Sequence, residues 1–206
     1  MELGQYSFYQ DSWTIEGWIR PTTTGSVVSV RSANNTAINL EVLTDGRLVY
    51  RVRNPPSSSG GFAGFSTGAV DLLDGNWHHF AATKEDDDTF NMYIDGVDQN
   101  LSNTTLSDFG ASVFDIDLGR LVPTVTRPYG GEMDEIRFWD FAQCLDQITA
   151  QSGCELTGTE IGLVAYYDFN QGFIAANNAS EINLNDRTAN NHNAVSYTHL
   201  RAPRPY

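Results

Sequence analysis

Basic residues are scarce in this chain. Twelve Lys and Arg stand against 26 Asp and Glu, a formal charge of −14. Such a surface repels a phosphate backbone, which sets nucleic acid aside as a partner. Cysteine is nearly absent: only Cys144 and Cys154 occur. With no CxxC and no neighbouring His, they do not complete a tetrahedral metal set. They read as a disulfide closing a short loop, worth about 2–3 kcal/mol, or as two reduced thiols. No apolar run approaches the ~18 residues of a membrane span, so no membrane insertion is expected. The opening MELGQYSFYQ has neither the basic n-region nor the apolar h-region of a signal peptide. The chain therefore reads as cytosolic or as an internal piece of a longer secreted protein.

What is present is strand and turn material. Hydrophobic residues make up 40% of the 206 residues, enough for one packed core, while charged residues make up only 18%. In WTIEGWI (13–19), Trp13, Ile15 and Ile19 share one face, with Glu16 and Trp18 on the other. Pro21 is expected to stop that strand. SVVSVRS, AINLEVLT and RLVYRVRN follow, the last two joined by Asp45-Gly46, a strong hairpin signal. WHHFAATK and FNMYIDG flank the acidic tip EDDD, and Asp95-Gly96 makes the next turn. SVFDIDLGRL, EMDEIRFW and GLVAYYDFNQ supply further strands. FAQCLDQITAQSG alone has helical spacing, predicting one short helix near 141–152. About ten short strands with one helix predict an all-β sandwich of two antiparallel sheets. The domain is expected to span 1–171. Residues 172–195 read as an Asn-rich loop or the start of a following module, and 196–206, SYTHLRAPRPY, as a non-native tail.

The ordered series WTIEGWI, DGRLVYRV, DGNWHHFAAT, MYIDG and YGGEMDEIRFWDFA resembles a laminin-G-like jelly roll of the concanavalin A-like superfamily. The bacterial, pentraxin-related branch is the nearest likeness, over roughly residues 6–170. It implies a jelly-roll sandwich and a piece of a large extracellular or cell-surface protein with neighbouring domains. It also raises three uses for the acids of YGGEMDEIRFWDF.

Enzymes with this fold carry Glu-x-Asp-x-Glu, whose outer glutamates stand about 5 Å apart for double displacement. Here Glu132 and Asp134 occupy the first two positions, but position 136 is Ile. Strict alternation also turns Glu135 away from the other two, so no catalytic residue is assigned and the chain is not read as an enzyme. Relatives bind Ca²⁺ at the loop rim. The loop where a pentraxin-like pattern would place acids is RLVPTVTRPYGG, with none and two arginines. The laminin-G position is Asn54, and Asp71 and Asp74 are further rim candidates for a possible Ca²⁺. The third use is structural: with Ile136 and Phe138 facing the core, Asp134 starts that inward face, while Glu135, Arg137 and Trp139 face out.

These readings converge on a non-catalytic binding or adhesion module for glycans or extracellular partner proteins, with an inert spacer as the first alternative and a glycoside hydrolase of the concanavalin A-like superfamily as the remoter one. Sugar rings stack on aromatics while charged neighbours bond hydroxyls. Trp18, Trp139, Tyr50 and Tyr93 are the aromatics that could reach a sheet face. The expected ligand-binding set is Trp18, Glu16, Arg137 and Trp139.

Overall fold

A computed structural model of the chain describes residues 2–6, 12–32, 35–53, 62–66, 70–87, 89–101, 114–121, 126–171 and 183–195. The strands are β1 (Glu2–Tyr6), β2 (Trp13–Thr23), β3 (Gly25–Ser32), β4 (Asn35–Val42), β5 (Leu48–Arg53), β6 (Phe62–Ser66) and β7 (His78–Lys84). They continue with β8 (Phe90–Ile94), β9 (Val97–Asp98), β10 (Phe114–Leu118), β11 (Gly130–Trp139), β12 (Leu163–Tyr167), β13 (Asn183–Leu184) and β14 (Ala194–Val195). The helix α1 (Leu145–Ser152) falls between β11 and β12. Eight strands form one antiparallel sheet in the order β13-β14-β1-β10-β3-β4-β5-β6, and six form the other, β12-β11-β2-β7-β8-β9.

Alternation decides which side chains meet between the sheets. Trp13, Ile15 and Ile19 of β2, Phe80 and Ala82 of β7, and Phe138 of β11 face Val28 and Val30 of β3, Leu40 of β4 and Tyr50 of β5 in one buried cluster. Trp13 meets Tyr50 and Phe90 edge-on, with centroids 6.0 and 6.3 Å away. Tyr50 is therefore a core residue. Gly17 is the inward position of β2 that carries no side chain. A Cβ there would lie 2.4 Å from Ile136 Cδ1.

That gap accompanies the main departure from strict alternation. Asp134 pairs with Trp18 and Arg137 with Glu16, so three steps on β11 oppose two on β2. The extra residue is Glu135, in the left-handed region at φ 53: a β-bulge. Because of it Asp134 lies on the outer face with Trp18, not on the inward face that alternation predicted. Pro21 does not end its strand either. Beyond Ile19, β2 has lost β7 as a neighbour and keeps only β11, and a proline is tolerated at such an edge.

The helix begins at Leu145, after a lead-in in which Phe141 packs with Trp139, Leu163 and Tyr166. Cys144 and Cys154, expected as a disulfide, are free and exposed. They flank the ends of the eight-residue helix, whose length of about 12 Å exceeds the ~7 Å a disulfide tolerates between Cα atoms. Residues 183–195, assigned above to a loop or another module, return to this domain. β14 pairs with β1 through Glu2↔Val195, and Leu184 and Ala194 are buried in the main core. Composition hid this because few apolar side chains anchor the segment, Leu184 and Ala194 among the described residues. The tail 196–206 and residues 172–182 lie outside the described residues, as does Asn54.

Candidate functional site

The outer face of the six-stranded sheet holds the residues expected to bind ligand. Glu16, Arg137 and Trp139 are buried and Trp18 is half-buried, because α1 and the segment after it cover them. Trp139 Nε1 donates to Glu16 Oε1 at 2.9 Å. Arg137 donates to Glu135 Oε2 at 2.6 Å, to the Gln151 carbonyl at 2.9 Å and to the Cys154 carbonyl at 2.5 Å. Trp18 Nε1 donates to the Ser152 carbonyl at 2.7 Å. The Arg137 guanidinium thus satisfies carbonyls at the helix C-terminus, where a cation is favoured. Burial pushes the Glu135 carboxyl up, against the pull of Arg137 and of the Tyr166 hydroxyl, which donates to it at 2.8 Å. The four expected residues are brought together, but as the joint between helix and sheet rather than as an open platform. Tyr93, a further aromatic of this face, packs with Ala81 and with Ile148 of the helix.

The remaining acids of β11 are also engaged. Glu132 pairs with Arg20, and Asp134 Oδ1 accepts the Glu135 N–H at 3.0 Å.

At the loop rim, Asp71 Oδ1 accepts the Leu73 N–H at 2.9 Å. Asp74 accepts Asn76 through its backbone N–H and its side chain, both at 2.8 Å. Asp71 and Asp74 therefore organise turns. Asp74 is also 3.1 Å from His78 Nε2, whose Nδ1 lies 2.8 Å from Asp95. The Asn76 bonds, then His78, lower Asp74 to about 2. Burial opposes the charge on His78, but Asp95 and Asp74 outweigh it and raise this imidazole. Among the described residues no group of three or more His, Cys, Asp or Glu side chains converges to hold a metal ion. By themselves the two carboxylates of Asp71 and Asp74 offer fewer oxygens than the six to eight of a calcium cage.

The outer face of the eight-stranded sheet is different in character. Gly64, Arg51, Asn39, Ser29 and Asp117 lie in one row across β6, β5, β4, β3 and β10. The next row carries Glu41 opposite Ser26. Ser26, Ser29, Asn39 and Asp117 are buried, with Arg51, Arg120 and Arg127 beside them. Ser26 donates to Asn39 Oδ1, and Asn39 Nδ2 donates to Glu41 Oε2 at 3.1 Å. The same oxygen accepts Arg51 and, at 2.5 Å, Arg127. Arg120 pairs with Asp117, and its carbonyl accepts the Ser29 hydroxyl at 2.9 Å. Burial, then the charge of Arg127, lowers Arg51 below the ordinary guanidinium range. The arginine side chains keep 25% of their accessible surface at Arg51 and 49% at Arg127, so the charged end of the network is reached from solvent.

Sequence reasoning missed this face. Asn39 and Glu41 do alternate with Ile38, Leu40 and Val42, and Arg51 alternates with Tyr50 and Val52, so an outward polar row was available from the pattern. Arg127, 86 positions from Glu41, carried no local signal.

A family model described as the concanavalin A-like lectin/glucanases superfamily, Laminin_G_3, matches residues 1–149. No curated protein matches in sequence. Solved structures share the fold. A heptameric SAP-like pentraxin from Limulus polyphemus is 18% identical, with TM-score 0.53 over 68% of this chain and 69% of its own. The CBM40 of the Ruminococcus gnavus IT-sialidase, bound to α2,3-sialyllactose, is 14% identical, with TM-score 0.59 over 71% and 85%. A Bacteroides ovatus protein to which carbohydrate binding is ascribed is 19% identical, with TM-score 0.60 over 95% of this chain and 55% of its own.

Proposed function

The chain belongs to the Laminin_G_3 family of the concanavalin A-like superfamily, and from that premise we propose that it is a non-catalytic glycan-binding module of an extracellular or cell-surface protein. The observation that carries the reading is the outer face of the eight-stranded sheet. There Arg51, Arg120 and Arg127 keep part of their guanidinium-bearing side chains exposed, held by a buried polar set of Ser26, Ser29, Asn39 and Asp117. A sugar presents many hydroxyls, and guanidinium groups held in place by a fixed polar network meet them with hydrogen bonds. On the opposite sheet, α1 covers the outer face around Trp18, Arg137 and Tyr93.

Two further observations support it. The acids of β11 are engaged by Arg20, Arg137, Tyr166 and backbone, so this strand holds no free carboxylate pair for glycosidic cleavage. The Ruminococcus gnavus and Bacteroides ovatus neighbours carry carbohydrate-binding descriptions on the same fold. None of the described helices is long and apolar enough to cross a membrane.

Screening the chain against a glycan array, followed by calorimetric titration of any hit, tests the reading. Retention of defined oligosaccharides with micromolar to millimolar affinity and no turnover is the expected result. Silence across the array would leave the inert spacer. Release of reducing sugar would make the chain an enzyme.

A further inference from the structure

We propose that Arg51 and Arg127 form a subsite for the carboxylate of an acidic saccharide, with Glu41 as the internal counter-ion that holds them in place. The inference rests on the glycan-binding reading and names the class of sugar.

Two guanidinium groups converge on one carboxylate oxygen, Glu41 Oε2, so this cluster carries 2 − 1 = +1. The whole chain carries −14. A local positive charge on an acidic molecule favours a ligand with one negative charge per sugar. Polyanions such as nucleic acid are turned away by the remaining surface. Holding two like charges together is unfavourable, and a second anion would relieve it.

The geometry is fixed before any ligand arrives. Ser26 orients Asn39, and Asn39 orients Glu41 through buried hydrogen bonds. One oxygen of Glu41 cannot occupy the five N–H donors that each guanidinium owns. Planar forks of this kind match a carboxylate with two parallel hydrogen bonds.

Backbone strain is an independent sign. Arg127 sits in the left-handed region at φ 50, where a side chain costs about 1–2 kcal/mol relative to glycine. Its carbonyl accepts the Ser26 N–H at 3.0 Å, which pins the loop to β3. An arginine kept in a glycine conformation above a polar sheet is the pattern expected where a side chain is retained for binding.

The strain also supplies a clean variant. Arg127→Gly removes the guanidinium and relaxes the backbone, so loss of binding cannot be ascribed to unfolding. Matched pairs serve as probes: sialyllactose with lactose, and trigalacturonate with its methyl ester. Titration of the intact chain should give at least about tenfold tighter binding for an acidic member than for its neutral partner, the effect of one charge-assisted hydrogen bond. Arg127→Gly and Arg51→Gln should abolish that preference, while the thermal midpoint of Arg127→Gly stays level or rises. Equal binding of acidic and neutral members would overturn the inference and leave the glycan reading standing. A preference that survives both substitutions would also overturn it. No binding by any saccharide, on these pairs or on the array, would remove both.

Discussion

His78 illustrates how a single residue ties the rim together. It is held between Asp95 and Asp74, and Asp95 also accepts the His79 N–H at 2.8 Å. Asp95 and Gly96 both have positive φ, 51 and 74, the backbone of a tight hairpin turn. The imidazole therefore links the loop before β7 to the turn after β8. Its folded pKa is raised, so its stabilising contribution is complete below the unfolded value near ~6.5 and fades as pH rises through the folded value. Asp74 works in the opposite sense. Lowered to about 2, it contributes above the ordinary carboxylate range and loses that contribution as pH falls toward 2. Unfolding free energy should decline on the alkaline side of ~6.5, and His78→Gln should flatten that slope. Urea midpoints measured between pH 5 and 9 would reveal it; an identical slope in the variant would exclude His78 as the source.

The bulged strand and the helix act as one element. A single inserted residue, Glu135, lets Asp134, Glu135, Arg137 and Trp139 all reach the outer face of the sheet. There they receive α1, whose own apolar anchor is small: Ile148 is its one buried residue. Eight residues are too few for a helix to persist alone in water, so the polar joint does much of the attachment. Arg137→Met should cost about 3–5 kcal/mol, because Glu16 and Glu135 would stay buried without their cation. Chemical denaturation reads this directly. A loss below about 1 kcal/mol would mean that the joint is dispensable.

At the scale of the molecule, the question is where the domain closes. The family match ends at residue 149, yet β12 and the 183–195 hairpin complete the two sheets. Asp186 fastens the hairpin. Its carboxylate accepts the backbone N–H of Tyr166 at 3.1 Å, of Thr188 at 2.9 Å and of His192 at 2.9 Å, and the Thr188 hydroxyl at 2.8 Å. Asp186→Ala would leave those buried donors unmatched and should cost about 3 kcal/mol. The midpoint of thermal unfolding should drop by several degrees, and an unchanged midpoint would mean that the hairpin does not close the sheet. Charge is arranged at the same scale: Arg51, Arg120 and Arg127 gather on one sheet face of a strongly acidic molecule.

Local information determined most of the fold. Period-two alternation in WTIEGWI and AINLEV, the Asp-Gly turns and the helical spacing around Ile148 are properties of neighbouring residues, and sterics and burial read them without help from the rest of the chain. The same rules made the acids of β11 look structural. Tertiary structure alone decided the rest, because each remaining question depended on residues distant in sequence. Alternation could not place the bulge, which fits only because Gly17 on another strand leaves space for Ile136. It could not tell that Trp18, Glu16, Arg137 and Trp139 lie beneath a helix, since outward is not the same as exposed. Nor could it join Arg127 to Glu41: a charge cluster is set by distance in space, and these two meet only when the loop after β10 folds back over the sheet.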